Sequence, residues 1–266
     1  MDATFPGAPY RAVLTGASGG IGGAIARQLA PHAQWLILVG RQAAPLEALR
    51  HALQPAQVHI VCGDLGEAAT LAEIAALAQR LGGLNLLINN AGVSDFHAFA
   101  TQSGDVIRHM LDTNLLAPML LTRQLLPLLL AAPRAQIVNI GSVFGLIGYP
   151  GFAAYCAGKS GLRGFSQALR RELADTSVEV RHFAPRATRT AINSTAVNAM
   201  NRELATAEDS PQHVAAAFLA FLQGRGWERT LGAKERFFIL LNKLLPALPD
   251  GAIRAQLPLI RKHLPK

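Results

Sequence analysis

The sequence predicts one α/β domain on a doubly wound parallel sheet over residues 1–232, with a helical C-terminal extension over 233–266. Short apolar runs alternate with stretches of helical period, the order expected of βαβ units. The runs WLILV and LNLLI are continuously apolar, as strands buried on both faces require. A glycine cluster separates the first run from the first helical stretch. The chain's 266 residues suit one α/β domain, which can reach roughly 250 residues. With 50% hydrophobic and 16% charged residues, the chain carries enough apolar material for a large core.

In chain order, apolar runs at 12–15, 35–39, 58–62, 84–88, 136–140 and 178–183 read as strands, and 229–232 as a last short one. Between them, spacing near 3.6 residues predicts helices near 21–29, 45–53, 68–81, 106–130, 152–174 and 211–222. The polar, mixed stretch 188–209 reads as a mobile segment. The longest apolar stretch, 115–130, is broken by Pro118, Arg123, Gln124 and Pro127. A spanning helix needs about 20 nearly uninterrupted apolar residues, so this one reads as core or subunit interface. Residues 1–10 lack the basic start and apolar run of a secretory signal.

Composition excludes other classes. Two cysteines, Cys62 and Cys156, form no disulfide framework and suit a reducing cytoplasm. The eight histidines are scattered, with no metal-ligand spacing, so no metal is expected. The net charge of +8 concentrates at the C-terminus: from Leu231 onward seven Lys/Arg stand against Glu235 and Asp250, a net of +5. No basic stripe interleaved with aromatics marks a nucleic-acid groove.

The stretch VLTGASGGIGGAIA, 13–26, sets Gly16, Gly20 and Gly22 between strand and helix. Glycines there permit a tight turn, and the helix N-terminus offers free N–H groups to a pyrophosphate. A glycine cluster alone is equally a flexible turn. After the second strand, LVGRQ has Arg41 and no carboxylate for a ribose 2′-hydroxyl. An arginine can neutralise a 2′-phosphate, which favours NADP(H) over NAD(H). Asp64 in VCGDL could accept from an adenine amine or simply cap the next helix.

Six ordered motifs, TGASGGIG (15–22), GDL (63–65), NNAG (89–92), Asn114 in LDTNLLAP, IVNIGS ending at Ser142, and YCAGK (155–159), together resemble the short-chain dehydrogenase/reductase family over roughly residues 10–232. The resemblance implies a Rossmann-like catalytic domain and a tetrad of Asn114, Ser142, Tyr155 and Lys159. It implies a cofactor set of Gly16, Ser18, Gly20, Ile21, Gly22, Arg41, Asp64, Leu65, Asn90, Ala91, Gly92, Tyr155, Lys159, Pro185 and Thr190. It also implies a homodimer or homotetramer paired through the long helices near 106–130 and 152–174. Where the family has Pro-Gly after the sixth strand, FAPRATRT carries Arg186. Arg186 could point to solvent, or Arg186 or Arg189 could meet an acidic group on substrate or cofactor.

Hydride delivery to a carbonyl carbon creates an alkoxide that needs a proton. Tyr155 can donate it, and Lys159, one helical turn away, is expected to lower the phenol pKa. Ser142 would hydrogen-bond the carbonyl, and Asn114 would anchor a water linking Lys159 to solvent. Cys156 reads as core, and Asp95 and His97 as loop polarity.

In the extension, Phe237, Leu240, Leu241 and Leu244 follow helical spacing while Phe238, Ile239 and Leu245 add apolar surface elsewhere. Such a helix docks on its own domain or a second subunit, or lies at a membrane interface. The expected function is NADPH-dependent interconversion of a ketone or aldehyde and an alcohol on an apolar, lipid-like substrate, in the cytoplasm or peripheral to a membrane's inner face. The alternatives are a 3-oxoacyl-thioester reductase and a non-catalytic NADP-binding sensor or membrane-recruited protein.

Overall fold

A computed structural model describes residues 9–53 and 57–265; residues 1–8, on which the signal-sequence reading rests, and Lys266 lie outside them. Seven parallel strands form one sheet in the order β3-β2-β1-β4-β5-β6-β7. They are β1 (Tyr10–Thr15), β2 (Ala33–Gly40), β3 (Gln57–Cys62), β4 (Leu86–Asn89), β5 (Ala135–Ile140), β6 (Val178–Ala184) and β7 (Glu228–Thr230). The helices are α1 (Gly20–Leu29), α2 (Ala43–Ala52), α3 (Ala68–Arg80), α4 (Gly104–Leu111), α5 (Ala117–Leu130), α6 (Ala153–Glu172), α7 (Thr195–Glu203), α8 (Pro211–Gln223), α9 (Ala233–Leu244) and α10 (Ala247–His263). The strand order reverses between β1 and β4, and ligands in such sheets bind beyond the carboxyl ends of the strands at that point.

Alternation along each strand divides the core. Leu36 and Leu38 of β2 join Leu14, Ile25, Phe183 and Phe218 on one face. Trp35, Ile37 and Val39 join Ile74, Leu121, Leu125 and Leu129 on the other. Each such fully buried side chain stabilises by about 1.5–3 kcal/mol. The continuous helix 104–130 is long and apolar enough to cross a membrane by length and composition, but Leu121, Leu125 and Leu129 are spent on this core.

Two segments differ from the sequence expectation. The stretch read as mobile, 188–209, contains α7, capped by the Ser194 side chain accepting from Val197 N. Its Val197 and Met200 are buried against α10 residues, a contact no local pattern announces. The helix expected from 106 to 130 widens over Asp112–Leu116 into a π turn. Pro118 has no N–H to give the Asn114 carbonyl four residues back, so the α-helical ladder is interrupted there.

The α5/α6 face of the sheet also carries a buried polar chain. Asn89 Nδ2 donates to Asn139 Oδ1 (2.8 Å), and Asn139 Nδ2 donates to Ser166 Oγ (2.8 Å). Beside it, His182 Nδ1 lies 3.0 Å from Glu228 Oε1, and Arg163 donates twice to the same carboxylate. Burial alone would raise Glu228, but these bonds overcome it and hold the carboxyl down at about 2. The fully buried His182 ring fills the space beside Gly141, where a Cβ would collide with it. Gly141→Ala should therefore cost about 1–3 kcal/mol by overpacking. Chemical denaturation measures it, and an unchanged midpoint would show that the ring has room to move.

Candidate active site

The first cavity is built where β1 hands over to α1. Gly16 sits at φ +64, a conformation that L side chains rarely adopt, and a Cβ there would lie 2.8 Å from Ala91 Cα. A Cβ on Gly22 would collide with the Gly16 carbonyl oxygen, and one on Gly20 would lie 2.8 Å from the Thr190 methyl. Asn90 pins the turn from the neighbouring strand, its Nδ2 donating to the Thr15 carbonyl (3.0 Å) and the Gly16 carbonyl (3.2 Å). No side chain caps α1, so its first N–H groups face the cavity at a positive helix end. The cavity holds about 710 Å³ and runs from this cradle past Arg41, Asp64 and Leu65 to Asn90, Ala91 and Gly92. Arg41 is exposed at its rim, and Asp64 Oδ1 accepts from Gly66 N (2.8 Å).

The second cavity, about 490 Å³, adjoins the first and shares Ile21, Asn90, Gly92, Ser94, Thr190 and Ile192 with it. Ser142, Tyr155 and Lys159 line it, with Pro185 and Arg186. Ser142 follows β5, accepts from Phe144 N (3.1 Å) and shares the cavity with the Tyr155 phenol. Lys159, 4% exposed, donates from Nζ to the Ile140 carbonyl (2.9 Å). Asn114, fully buried in the π turn, clamps the Val93 peptide, accepting from its N (2.9 Å) and donating to its O (2.8 Å). Its Oδ1 and the Lys159 Nζ both come within 3.4 Å of where a Gly92 Cβ would be.

Electrostatics departs from the expected tuning of Tyr155. Burial pushes the phenol up to about 12, with the Ser142 hydrogen bond pulling only partly the other way. Burial also brings Lys159 down to about 8. The ammonium is 6.0 Å from the Tyr155 ring centroid and is turned to a backbone carbonyl, so in the polypeptide alone desolvation outweighs its attraction for a phenolate. At neutral pH the pair is a phenol and an ammonium.

At Arg186 the guanidinium is held within the protein and does not point freely to solvent. Its guanidinium is bidentate on Asp209 (3.0 and 2.8 Å) and within 3.5 Å of Glu235 at the start of α9. It ties the loop after β6 to the C-terminal extension. That extension joins the wall of the apolar cavity: Phe238, Ala252, Ile253 and Gln256 line it together with Phe144, Tyr149 and Met200. Tyr149 donates to Gln256 Oε1 (2.7 Å), Lys262 and His263 both bind Glu203 of α7, and Ile260 is fully buried. The extension therefore docks on its own domain along one face. Cys156 packs in the same cluster. His109 and Asp112, which no motif marked, line the first cavity from the far helix.

Residues 11–201 match the model of the family described as short chain dehydrogenase. The chain belongs to the short-chain dehydrogenase family. It is 39% identical over 181 residues, 66% of this chain and 71% of the relative, to nodulation protein G of Rhizobium meliloti (strain 1021). It is 34% identical over 174 residues, 65% and 70%, to a 3-oxoacyl-[acyl-carrier-protein] reductase FabG of Rickettsia bellii (strain RML369-C). A short-chain dehydrogenase from Streptomyces avermitilis superposes with a TM-score of 0.78 at 26% identity, covering 97% of both chains. Two family structures share the fold: one from Burkholderia phymatum in complex with NAD (TM-score 0.80, 22% identity, 91% and 95% covered), one from Burkholderia cenocepacia J2315 in complex with NADP (0.78, 21%, 92% and 98%). The chain is an oxidoreductase of a family whose members bind NAD or NADP. The residues present fit such a dinucleotide: the uncapped start of α1 and its glycines line the first cavity, and the buried Thr190 Oγ1 beside it lacks a protein partner.

The Lys159 assignment has a thermodynamic signature. Its pKa is depressed in the folded state, so between about 8 and 10.5 the unfolded chain binds more protons and stability rises with pH. Lys159→Met removes the buried charge. It should stabilise the dinucleotide-free protein at pH 7 by on the order of 3 kcal/mol, at roughly 1.4 kcal/mol per pH unit, and by far less at pH 10. Denaturant melts at the two pH values measure it; a constant difference would contradict the buried ammonium.

Proposed function

We infer that this protein is an NADPH-dependent reductase of ketones or aldehydes, or the reverse alcohol dehydrogenase, acting on an apolar, lipid-like substrate. The observation that carries the reading is that Ser142, Tyr155 and Lys159 together line the apolar cavity that adjoins the glycine-cradled one. When bound, the nicotinamide supplies a hydride to the carbonyl carbon. Ser142 donates to the carbonyl oxygen and orients it. Tyr155, a protonated phenol at neutral pH, gives its proton to that oxygen as the alkoxide forms. Lys159 holds a positive charge beside the resulting phenolate, which is the state that gains most from it. Asn114, whose Oδ1 lies with Lys159 Nζ beside Gly92, would anchor a water that reprotonates Lys159. Gly16, Gly20 and Gly22 receive the pyrophosphate, Asn90, Ala91 and Gly92 the ribose side, and Pro185 and Thr190 the carboxamide end. Aromatic and aliphatic walls, Phe144, Ile147, Phe152, Met200 and Phe238, support an apolar substrate.

A 3-oxoacyl-thioester reductase is the second reading, favoured by the likeness to the reductase of Rickettsia bellii. Against it stands the roof formed by α9 and α10, which narrows access for a carrier-bound acyl chain. Faster turnover of acyl thioesters than of free ketones would select it. The exposed Leu116, Met119 and Leu130 support self-association into a dimer or tetramer along α5. The two free cysteines support a cytoplasmic setting.

Tyr155→Phe should lower turnover of apolar carbonyls by about 10²–10⁴-fold with NADPH binding retained, followed as NADPH oxidation. No consumption by the wild type on any carbonyl would overturn the reading. Arg41→Ala should weaken NADPH about tenfold to hundredfold, with little change for NADH, because it removes a charged partner of the 2′-phosphate. Equal loss for both would remove the case for NADP.

A further inference from the structure

Docking on the domain uses only one side of the extension. On α9, Phe237, Leu240 and Leu244 fall at i, i+3 and i+7 and remain 62%, 54% and 69% exposed. Leu245 and Leu248 continue the ridge round the elbow into α10, at 55% and 57%. Monomeric domains rarely leave five large apolar side chains together in water. Ile239 of the same helix is buried, so the ridge is the outer face of a docked helix.

Charge selects the occupant. Among the described residues of the extension, Lys234, Arg236, Lys243, Arg254 and Arg261 are exposed, as is Lys262, whose charge Glu203 of α7 meets. Arg236 and Lys243, seven residues apart, flank the apolar row on α9. Of the two acids, Glu235 is held by Arg186, leaving Asp250 as the exposed one. A two-fold contact with a second copy would bring two copies of the same basic patch together. An anionic lipid surface instead complements them while its acyl boundary takes the leucines. At 12 residues, about 18 Å, α9 is too short to span a bilayer and suits lying in its interface.

We propose that the α9–α10 elbow is a docking surface for an anionic lipid bilayer, with Phe237, Leu240, Leu244, Leu245 and Leu248 entering the acyl boundary. Phe238, Ala252 and Ile253 of the same two helices line the apolar cavity, so the roof between bilayer and Tyr155 is one helix layer thick. The bilayer is then the source from which an apolar carbonyl compound enters. That entry route rests on the apolar-substrate reading; the docking itself does not.

The test is flotation of the full-length protein with vesicles of phosphatidylglycerol and phosphatidylcholine in equal parts, beside vesicles of phosphatidylcholine alone. Wild type should float with the mixed vesicles, less at high salt and least with phosphatidylcholine. Leu240→Ser/Leu244→Ser lies on the exposed face and should keep the wild-type melting temperature while its partition falls about tenfold or more. Arg236→Glu/Lys243→Glu should lose the preference for the anionic vesicles. Turnover of a water-soluble carbonyl, run in parallel, reports the enzyme reading separately. Wild type that stays off both vesicles, or a serine variant that floats as well as wild type, overturns the proposal. So does a patch whose only effect is on oligomeric mass by light scattering, since that assigns it to a second copy.

Discussion

The site depends on burying one ammonium. Lys159 is almost wholly inside the protein, and a lone charge there is costly unless paired or hydrogen-bonded. Its partner is the Ile140 carbonyl at the end of β5, so the strand's last residue fixes where Nζ lies. Two glycines pack close to this residue. A Cβ on Gly92 would stand 3.4 Å from Nζ, and one on Gly145 would be 2.8 Å from the Lys159 carbonyl oxygen. Asn114 reaches the same point only because the helix widens into a π turn before Pro118. Burial depresses the lysine and raises the tyrosine, although Tyr155, lining the cavity, is only half-buried. That burial keeps Tyr155 a proton donor at rest and makes a nearby positive charge most valuable once the proton has left.

Around this fixed centre the chain varies what can reach it. Arg186 occupies a position where a glycine would leave open backbone, and it joins Asp209 and Glu235 into one ionic knot. The knot sets α9 over the apolar cavity, and α10 is held at its far end by Glu203. The extension thereby adds Phe238, Ile253 and Gln256 to the lining of the cavity that holds Tyr155. The same helices expose leucines outward, so one structural addition supplies both a lining and a surface.

Much of this was legible in the sequence because it is local. Buried parallel strands must be apolar without interruption, so WLILV could be read directly. The glycines at 16 and 22 are demanded by collisions within the turn and with the segment after β4, whereas Gly20 is hemmed in by the distant Thr190 side chain. Tyr155 and Lys159 share a helix face through spacing alone. What escaped is set by distant partners. Nothing near Arg186 in sequence announces Asp209, and nothing in the polar stretch 188–209 announces that Val197 and Met200 meet Ile260. The direction of the Tyr155 shift escaped for the same reason: spacing reports the lysine beside it but not the walls that remove water. The π turn had a signal, Pro118 four residues after Asn114, which could have been read.

The central claim is that burial keeps Tyr155 protonated in the resting protein. Ultraviolet difference titration of tyrosine ionisation, comparing wild type with Tyr155→Phe in the absence of dinucleotide, measures this directly. The Tyr155 step should be missing through the neutral and mildly alkaline range and appear only as pH nears about 12. A step at neutral pH that vanishes in Tyr155→Phe would mean that Lys159 outweighs desolvation and that the resting residue is a phenolate.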